Sequence, residues 1–269
     1  MKKSILNIIG VVVLLGGAIA AYIYFQQQQP KPEALQVQEQ APPILPELPK
    51  PVVRQVLDAP STNPKLPQLE TSDSFVLDSL ASLVENKSLM NIFHTEQLIH
   101  NIVATIDNLP SQRAPMSVMP IETAKGKFIT MEGKGALVIS PKNKARYTTY
   151  VKFAEETDAK KLVELYVRLY PLFQQSYEEL GYPNKYFNDR MIVVLDNLLA
   201  APEIKEPVQL VQPKYYYLYA DSNIEGRSIG QKILMRIGSN NEMVIISKLK
   251  DIKQELILHM HEKKIDSAV

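Results

Sequence analysis

From Ile5 to Phe25 the chain reads ILNIIGVVVLLGGAIAAYIYF, 21 residues without a charge, placed directly after Lys2 and Lys3 and directly before a Gln- and Pro-rich stretch. As a helix the segment would be about 30 Å long, which matches the hydrocarbon thickness of a bilayer. The run therefore predicts a transmembrane anchor, and whatever follows it must fold at the end of a tether.

Positive charge sits on one flank of the run, at Lys2 and Lys3, whereas four glutamines and then Lys31, Glu33 and Glu39 follow the other. The positive-inside bias keeps the N-terminus in the cytoplasm and sends the bulk of the chain across; in a bacterium that makes it a single-pass inner-membrane protein with a periplasmic domain. A cleaved secretory signal is the competing reading, with Ala18-Ile19-Ala20 as the small-residue site. The apolar run is longer than a usual signal core and continues through Tyr22, Tyr24 and Phe25, which favours the anchor. The sequence contains no cysteine. That removes lipoprotein acylation, disulfides, thiolate nucleophiles and thiolate metal sites together. A net charge of +1 gives no global field to recruit nucleic acid.

Residues 26–70 carry Pro30, Pro32, Pro42, Pro43, Pro46, Pro49, Pro51, Pro60, Pro64 and Pro67. Proline fixes φ and removes donors, so neither helix nor sheet is expected to propagate and the segment reads as a linker. From residue 71 to 262 the chain is long enough for one domain with a core, followed by a tail at 263–269. Ser72 to Ser74 open a short helix with Phe75, Val76, Leu80 and Leu83; Thr95 opens a second with Leu98, Ile102 and Ile106, ended by Asn108-Leu109-Pro110. Lys127 to Ile139 reads as a β-hairpin around Gly133-Lys134-Gly135. The longest helix is expected from Thr157 to Gly181, kinked or broken at Pro171, with others over Asn188 to Ala200, Ile224 to Ile237 and Asn241 to Glu262. In the last, Ile245, Leu249, Ile252 and Leu256 form one stripe. The fold class is mainly α, a membrane-anchored helical domain with a minor β-hairpin.

Arg146-Tyr147 and Tyr150, the run Leu165-Tyr166-Val167-Arg168-Leu169-Tyr170-Pro171-Leu172, Tyr177 with Glu179-Leu180-Gly181-Tyr182-Pro183, Asp196 with Leu198-Leu199-Ala200, and Gln231-Lys232 with Arg236-Ile237-Gly238 and Asn241 make a further pattern. Over roughly residues 72 to 255 it resembles the bacterial domain of unknown function 3014 family. The resemblance implies an N-terminal anchor, a Pro-rich spacer and a mostly helical C-terminal domain. It implies no activity.

Catalytic patterns occur without their context. Gly226-Arg227-Ser228-Ile229-Gly230 matches the G-x-S-x-G nucleophile elbow, with a strand-like Tyr215 to Ala220 before it; a hydrolase would need Asp251 and His259 or His261 from one terminal helix, and a parallel sheet. Ser247 to Lys250 matches S-x-x-K but lacks any K-T-G partner. His259 and His261 point about 200° apart on a helix and cannot share an ion. His94 and His100 have no acidic companion at ligand spacing. The acidic pairs Glu155-Glu156, Glu178-Glu179 and Glu203 with Glu206 read as solvated surface. No catalytic residue, cofactor or metal is expected.

Two binding features remain. Lys125, Lys127, Lys134, Lys142, Lys144, Arg146 and Lys152 gather positive charge near the hairpin, either for anionic headgroups or an acidic protein face, or as an edge that discourages sheet aggregation. Tyr215, Tyr217 and Tyr219 would share one face of a strand, as a stacking strip or under a neighbouring helix. The expected binding residues are Arg146, Tyr147, Tyr170, Tyr215, Tyr217 and Tyr219. The expected role is a non-catalytic interaction or scaffold module whose partner is another cell-envelope protein. The alternatives are a module for peptidoglycan or anionic lipid, and a serine hydrolase acting through Ser228.

Overall fold

The computed structural model describes residues 54–56, 66–133, 135–204 and 207–262. The predicted span at 5–25, most of the linker, the tail and Lys134 lie outside the described residues. Among those described, no helix is long and apolar enough to cross a membrane.

Eight α-helices form the body of the described chain: α1 Asp73–Ala81, α2 Leu98–Asn108, α3 Thr148–Glu156, α4 Ala159–Glu179, α5 Phe187–Leu199, α6 Ser222–Glu225, α7 Ile229–Arg236 and α8 Ser239–Leu258. The mainly helical expectation is met. Helix α2 starts at Leu98 rather than at Thr95, because Gln97 takes a left-handed conformation at φ 52°. Its cap comes from across the fold: the Asp73 carboxylate accepts from the backbone N–H groups of Gln97 and Leu98, each at 2.8 Å. One side chain of α1 thus satisfies two of the donors that any helix start leaves open. Helix α4 is capped by Asp158, whose side chain accepts from Lys161 N at 2.8 Å.

Of the kink or break expected at Pro171, the break does not occur: α4 runs through it as one element. Leu165 and Leu169 before it and Leu172 and Phe173 after it are all buried. Burial on both sides outweighs the single missing N–H, since tertiary packing supplies most of a helix's stability. The helix expected over Ile224 to Ile237 is two helices, parted at Gly226 to Ser228, and α3 was not foreseen.

The hairpin forms as predicted, from β2 Thr130–Gly133 and β3 Ala136–Ile139, but it is half of a larger sheet. β4 Gln209–Val211 and β5 Leu218–Tyr219 extend it to four antiparallel strands in chain order, with Leu137 opposite Leu210 and Leu210 opposite Tyr219. Asn143, buried, clasps the sheet by bonding both backbone groups of Ile129. Two boundaries also need correction. β1 Arg54–Val56 lies inside the predicted linker and pairs antiparallel with β6 Met260–Glu262, where a helix was expected to continue. No proline falls between Pro51 and Pro60, so this window keeps the donors a strand requires.

The main core gathers Leu98, Val103, Leu165, Leu169, Phe173, Tyr177 and Phe187, with Tyr166 packed against it. The predicted stripe of α8 packs as expected, Leu249, Ile252 and Leu256 against α4 and α5. Around this centre α1, α2, α4, α5 and α8 surround a cavity of about 300 Å³, whose wall is apolar side chains and the ring of Tyr166.

Candidate functional site

The structure ties most of the residues flagged by sequence to architectural roles. Ser228 is the N-cap of α7: its hydroxyl accepts from Gln231 N at 3.2 Å and donates to Asn197 Oδ1 at 2.7 Å, and the residue is 7 % exposed. Helix α6 separates it from the strand ending at Tyr219, so the strand–turn–helix geometry of a nucleophile elbow is not formed. The glycine after it has a packing reason. A Cβ on Gly230 would come within 2.5 Å of Leu198 Cδ2 and 3.1 Å of the Leu109 carbonyl. Close helix approach, not strained serine geometry, accounts for the motif.

The tyrosine strip does not form. β5 begins only at Leu218, and Tyr215 is 88 % exposed whereas Tyr219 is 2 % exposed. Burial pushes the Tyr219 phenol up, and its hydroxyl donates to the Lys232 carbonyl at 3.0 Å. Tyr217 packs its ring against Phe128 at 5.8 Å. Arg146 holds a loop: its guanidinium donates to the carbonyls of Ala124, Lys125 and Gly126 and lies 5.6 Å from the Tyr147 ring. Tyr170 donates to Gln174 Oε1 at 2.9 Å, with its phenol pushed up chiefly by burial. Of the lysines in the predicted patch, Lys125, Lys127, Lys142 and Lys152 are exposed and Lys144 is half-buried. Among the described residues no group of three or more His, Asp or Glu side chains could hold a metal ion.

A surface cleft emerges from a different part of the sequence. Helix α4 ends at Glu179, and Gly181, at φ 113°, turns the chain in a conformation that L side chains rarely adopt. The turn lays Tyr182 on Tyr177, with ring centroids 4.6 Å apart and planes at 27°. Gln174 fixes the rest of the loop, donating to the Lys185 carbonyl and accepting from Phe187 N, both at 2.9 Å. Helix α2 contributes Asp107. Its carboxylate accepts from Arg190 Nε at 2.7 Å and from the Tyr182 hydroxyl at 3.2 Å, and its carbonyl accepts from Arg190 Nη2.

The result is a cleft of about 390 Å³ lined by Asp107, Tyr177, Tyr182, Lys185, Tyr186 and Arg190, with Val193, 53 % exposed, on its rim. The Lys185 ammonium stands 5.0 Å from the Tyr182 ring centroid. Burial and then the Asp107 charge push the Tyr177 phenol up to about 12, and the Asp107 carboxylate raises that of Tyr182. Both phenols stay protonated at neutral pH. The cleft therefore presents the Tyr182 ring, whose hydroxyl is given to Asp107, and an arginine whose orientation the same carboxylate locks. Of these groups, only Tyr177 and the Leu-Gly-Tyr-Pro turn carry a signal in the sequence. Asp107 and Arg190 lie 83 residues apart and carry no local signal.

A wider cleft, of about 560 Å³, is lined by Lys161, Glu164, Arg168 and His259. Arg168 is packed there rather than offered outward: Nη2 donates to Ser79 Oγ at 3.3 Å and the guanidinium lies over the Phe75 ring.

A mainly helical domain with a lateral antiparallel sheet and a tyrosine-lined surface cleft is the class that fold and site define. The chain belongs to the family described as protein of unknown function (DUF3014), whose model matches residues 98–253, from the first residue of α2 into α8. The match contains every residue named in the tyrosine cleft. No curated protein and no solved structure matches the chain.

Proposed function

We propose that this protein is a non-catalytic interaction module of the bacterial cell envelope, held at the inner membrane by residues 5–25 with its folded part on the periplasmic side, and that it grips a protein partner through the Tyr182 cleft. The observation that carries the reading is the Asp107–Arg190–Tyr182 arrangement beside exposed Val193. Tyrosine and arginine dominate the residues that hold interfaces together, and a preset arginine loses little freedom on binding. The flagged serine, by contrast, is a helix cap.

The test is photo-crosslinking of the full chain in cells, with a photoreactive amino acid at Val193. A discrete adduct is expected, reduced at least fivefold by Tyr182→Ala, while a reporter fused after Val269 is active outside the cytoplasm. An adduct indifferent to Tyr182→Ala, or a reporter active only in the cytoplasm, would remove the corresponding half of the reading.

A second reading rests on the sheet side. There Phe128 meets Tyr217, and their sequence neighbours Lys127, Tyr215 and Tyr216 are exposed. That surface suits peptidoglycan or anionic lipid. Co-sedimentation with either, falling steeply with added salt for the lipid, is its signature.

A further inference from the structure

The cavity at the centre of the helices has the chemistry of a lipid-chain site. Ile106, Leu165, Leu169, Met191, Leu198 and Leu249 are among its lining residues, and Tyr166 is the only one of them with a polar atom in its side chain. A wall of this kind cannot compensate a buried polar ligand for lost water, so the occupant must be hydrocarbon over nearly its whole length. The cavity volume is about 300 Å³. At about 30 Å³ for each water-sized group, it takes a chain of about ten carbons.

A second observation lies just behind the wall. Tyr166 donates its hydroxyl to Asn188 Oδ1 at 2.5 Å, and Asn188 is fully buried. Its Nδ2 has no acceptor among the described residues. Buried amides are almost always satisfied, so an open donor one hydrogen bond behind Tyr166 of the wall suits the one oxygen-bearing end of such a chain. We infer that the cavity between α1, α2, α4, α5 and α8 binds a single acyl chain of about ten carbons, with its carbonyl or hydroxyl oxygen directed toward Asn188.

The inference does not depend on the Tyr182 cleft, and its test reads a different signal. The full chain in nanodiscs is titrated with radiolabelled decanoate, with empty discs subtracted. Saturable binding of one labelled molecule per chain is expected. Leu169→Trp and Val194→Phe, each filling part of the cavity, should weaken it at least tenfold while the helical circular dichroism is kept. Displacement by unlabelled decanoate alone identifies a free fatty acid as the source of the chain, and displacement by decanol as well shows that a hydroxyl end suffices; either supports the site. Three results overturn it: no saturable binding beyond empty discs, unchanged affinity in the folded variants, or failure of both variants to fold, which would mean the space does not exist.

Discussion

The surface cleft and the central cavity share three helices, α2, α4 and α5, and often use adjacent residues of them. Asp107 of α2 faces the cleft and Ile106 the cavity; on α5, Arg190 and Val193 line the cleft whereas Met191 and Val194 line the cavity; on α4, Tyr177 serves the first and Phe173 the second. One residue step turns a side chain about 100° around a helix, enough to exchange a wet, ion-paired surface for a dry interior. Two hollows of opposite polarity therefore need no separate elements. The contrast also assigns different consequences to mutation: groups on the cavity side hold the fold, and groups on the cleft side shape what the fold presents.

The sharpest way to break that division is to truncate the cavity wall. Leu169→Ala enlarges a hollow that already exists, and the expected loss is about 3–5 kcal/mol, read by urea or thermal unfolding. A loss below 1 kcal/mol would mean that Leu169 packs loosely and that the two hollows do not differ in kind. Gly230→Ala comes next. The added Cβ would meet the Leu109 carbonyl at 3.1 Å, and backbone cannot give way as a side-chain tip can. About 2 kcal/mol of destabilisation is expected in the same assay. Ser228→Ala removes a cap and should cost about 1 kcal/mol in melting experiments, with the cellular phenotype unchanged. Loss of function from a well-folded S228A protein would restore the hydrolase reading.

Much of this organisation was legible from the chain alone, and the parts that were not share a physical cause. The helical stripes of α4, α5 and α8 could be read because period-3.6 burial is a local signal. The hairpin could be read because glycines mark its turn. β4 could not, since a three-residue strand exists only through pairing with its neighbours, and β5 could be read only as part of the longer strand-like run Tyr215 to Ala220. Asp73 as the cap of α2 was hidden for the same reason, lying 24 residues from Gln97. The tyrosines at 215, 217 and 219 failed differently. Alternation fitted a strand, but the chain is extended only from Leu218, and burial divided the three residues instead of aligning them. In the cleft, the Leu-Gly-Tyr-Pro turn announced itself through glycine, while its electrostatic partners came from two other helices.

The smallest expected effect tests whether a polar group's pairing, rather than its mere presence, decides what it contributes, which is the rule that separates cleft from cavity. Glu225 and Glu242 are both carboxylates on the sheet side of the domain. Burial raises the Glu225 pKa, but hydrogen bonds from Tyr219 N and from Lys232, at 2.9 Å and 3.0 Å, bring it net below the ordinary range. Glu242 is raised, by burial first and then by the charge of Glu203. A depressed folded-state pKa means stabilisation that is present above the unfolded value of about 4.3 and lost as pH falls through the folded one. A raised pKa means the reverse: the ionised group costs stability at neutral pH, and the cost disappears on acidification. Glu225→Gln should therefore lower stability at pH 7 by up to about 1 kcal/mol, and Glu242→Gln should raise it by less, with both differences fading toward pH 3. Melting curves of the two variants across that range decide the matter. Shifts of the same sign at pH 7 would show that the Lys232 and Tyr219 contacts do not distinguish Glu225, and that pairing is not what separates these two acids.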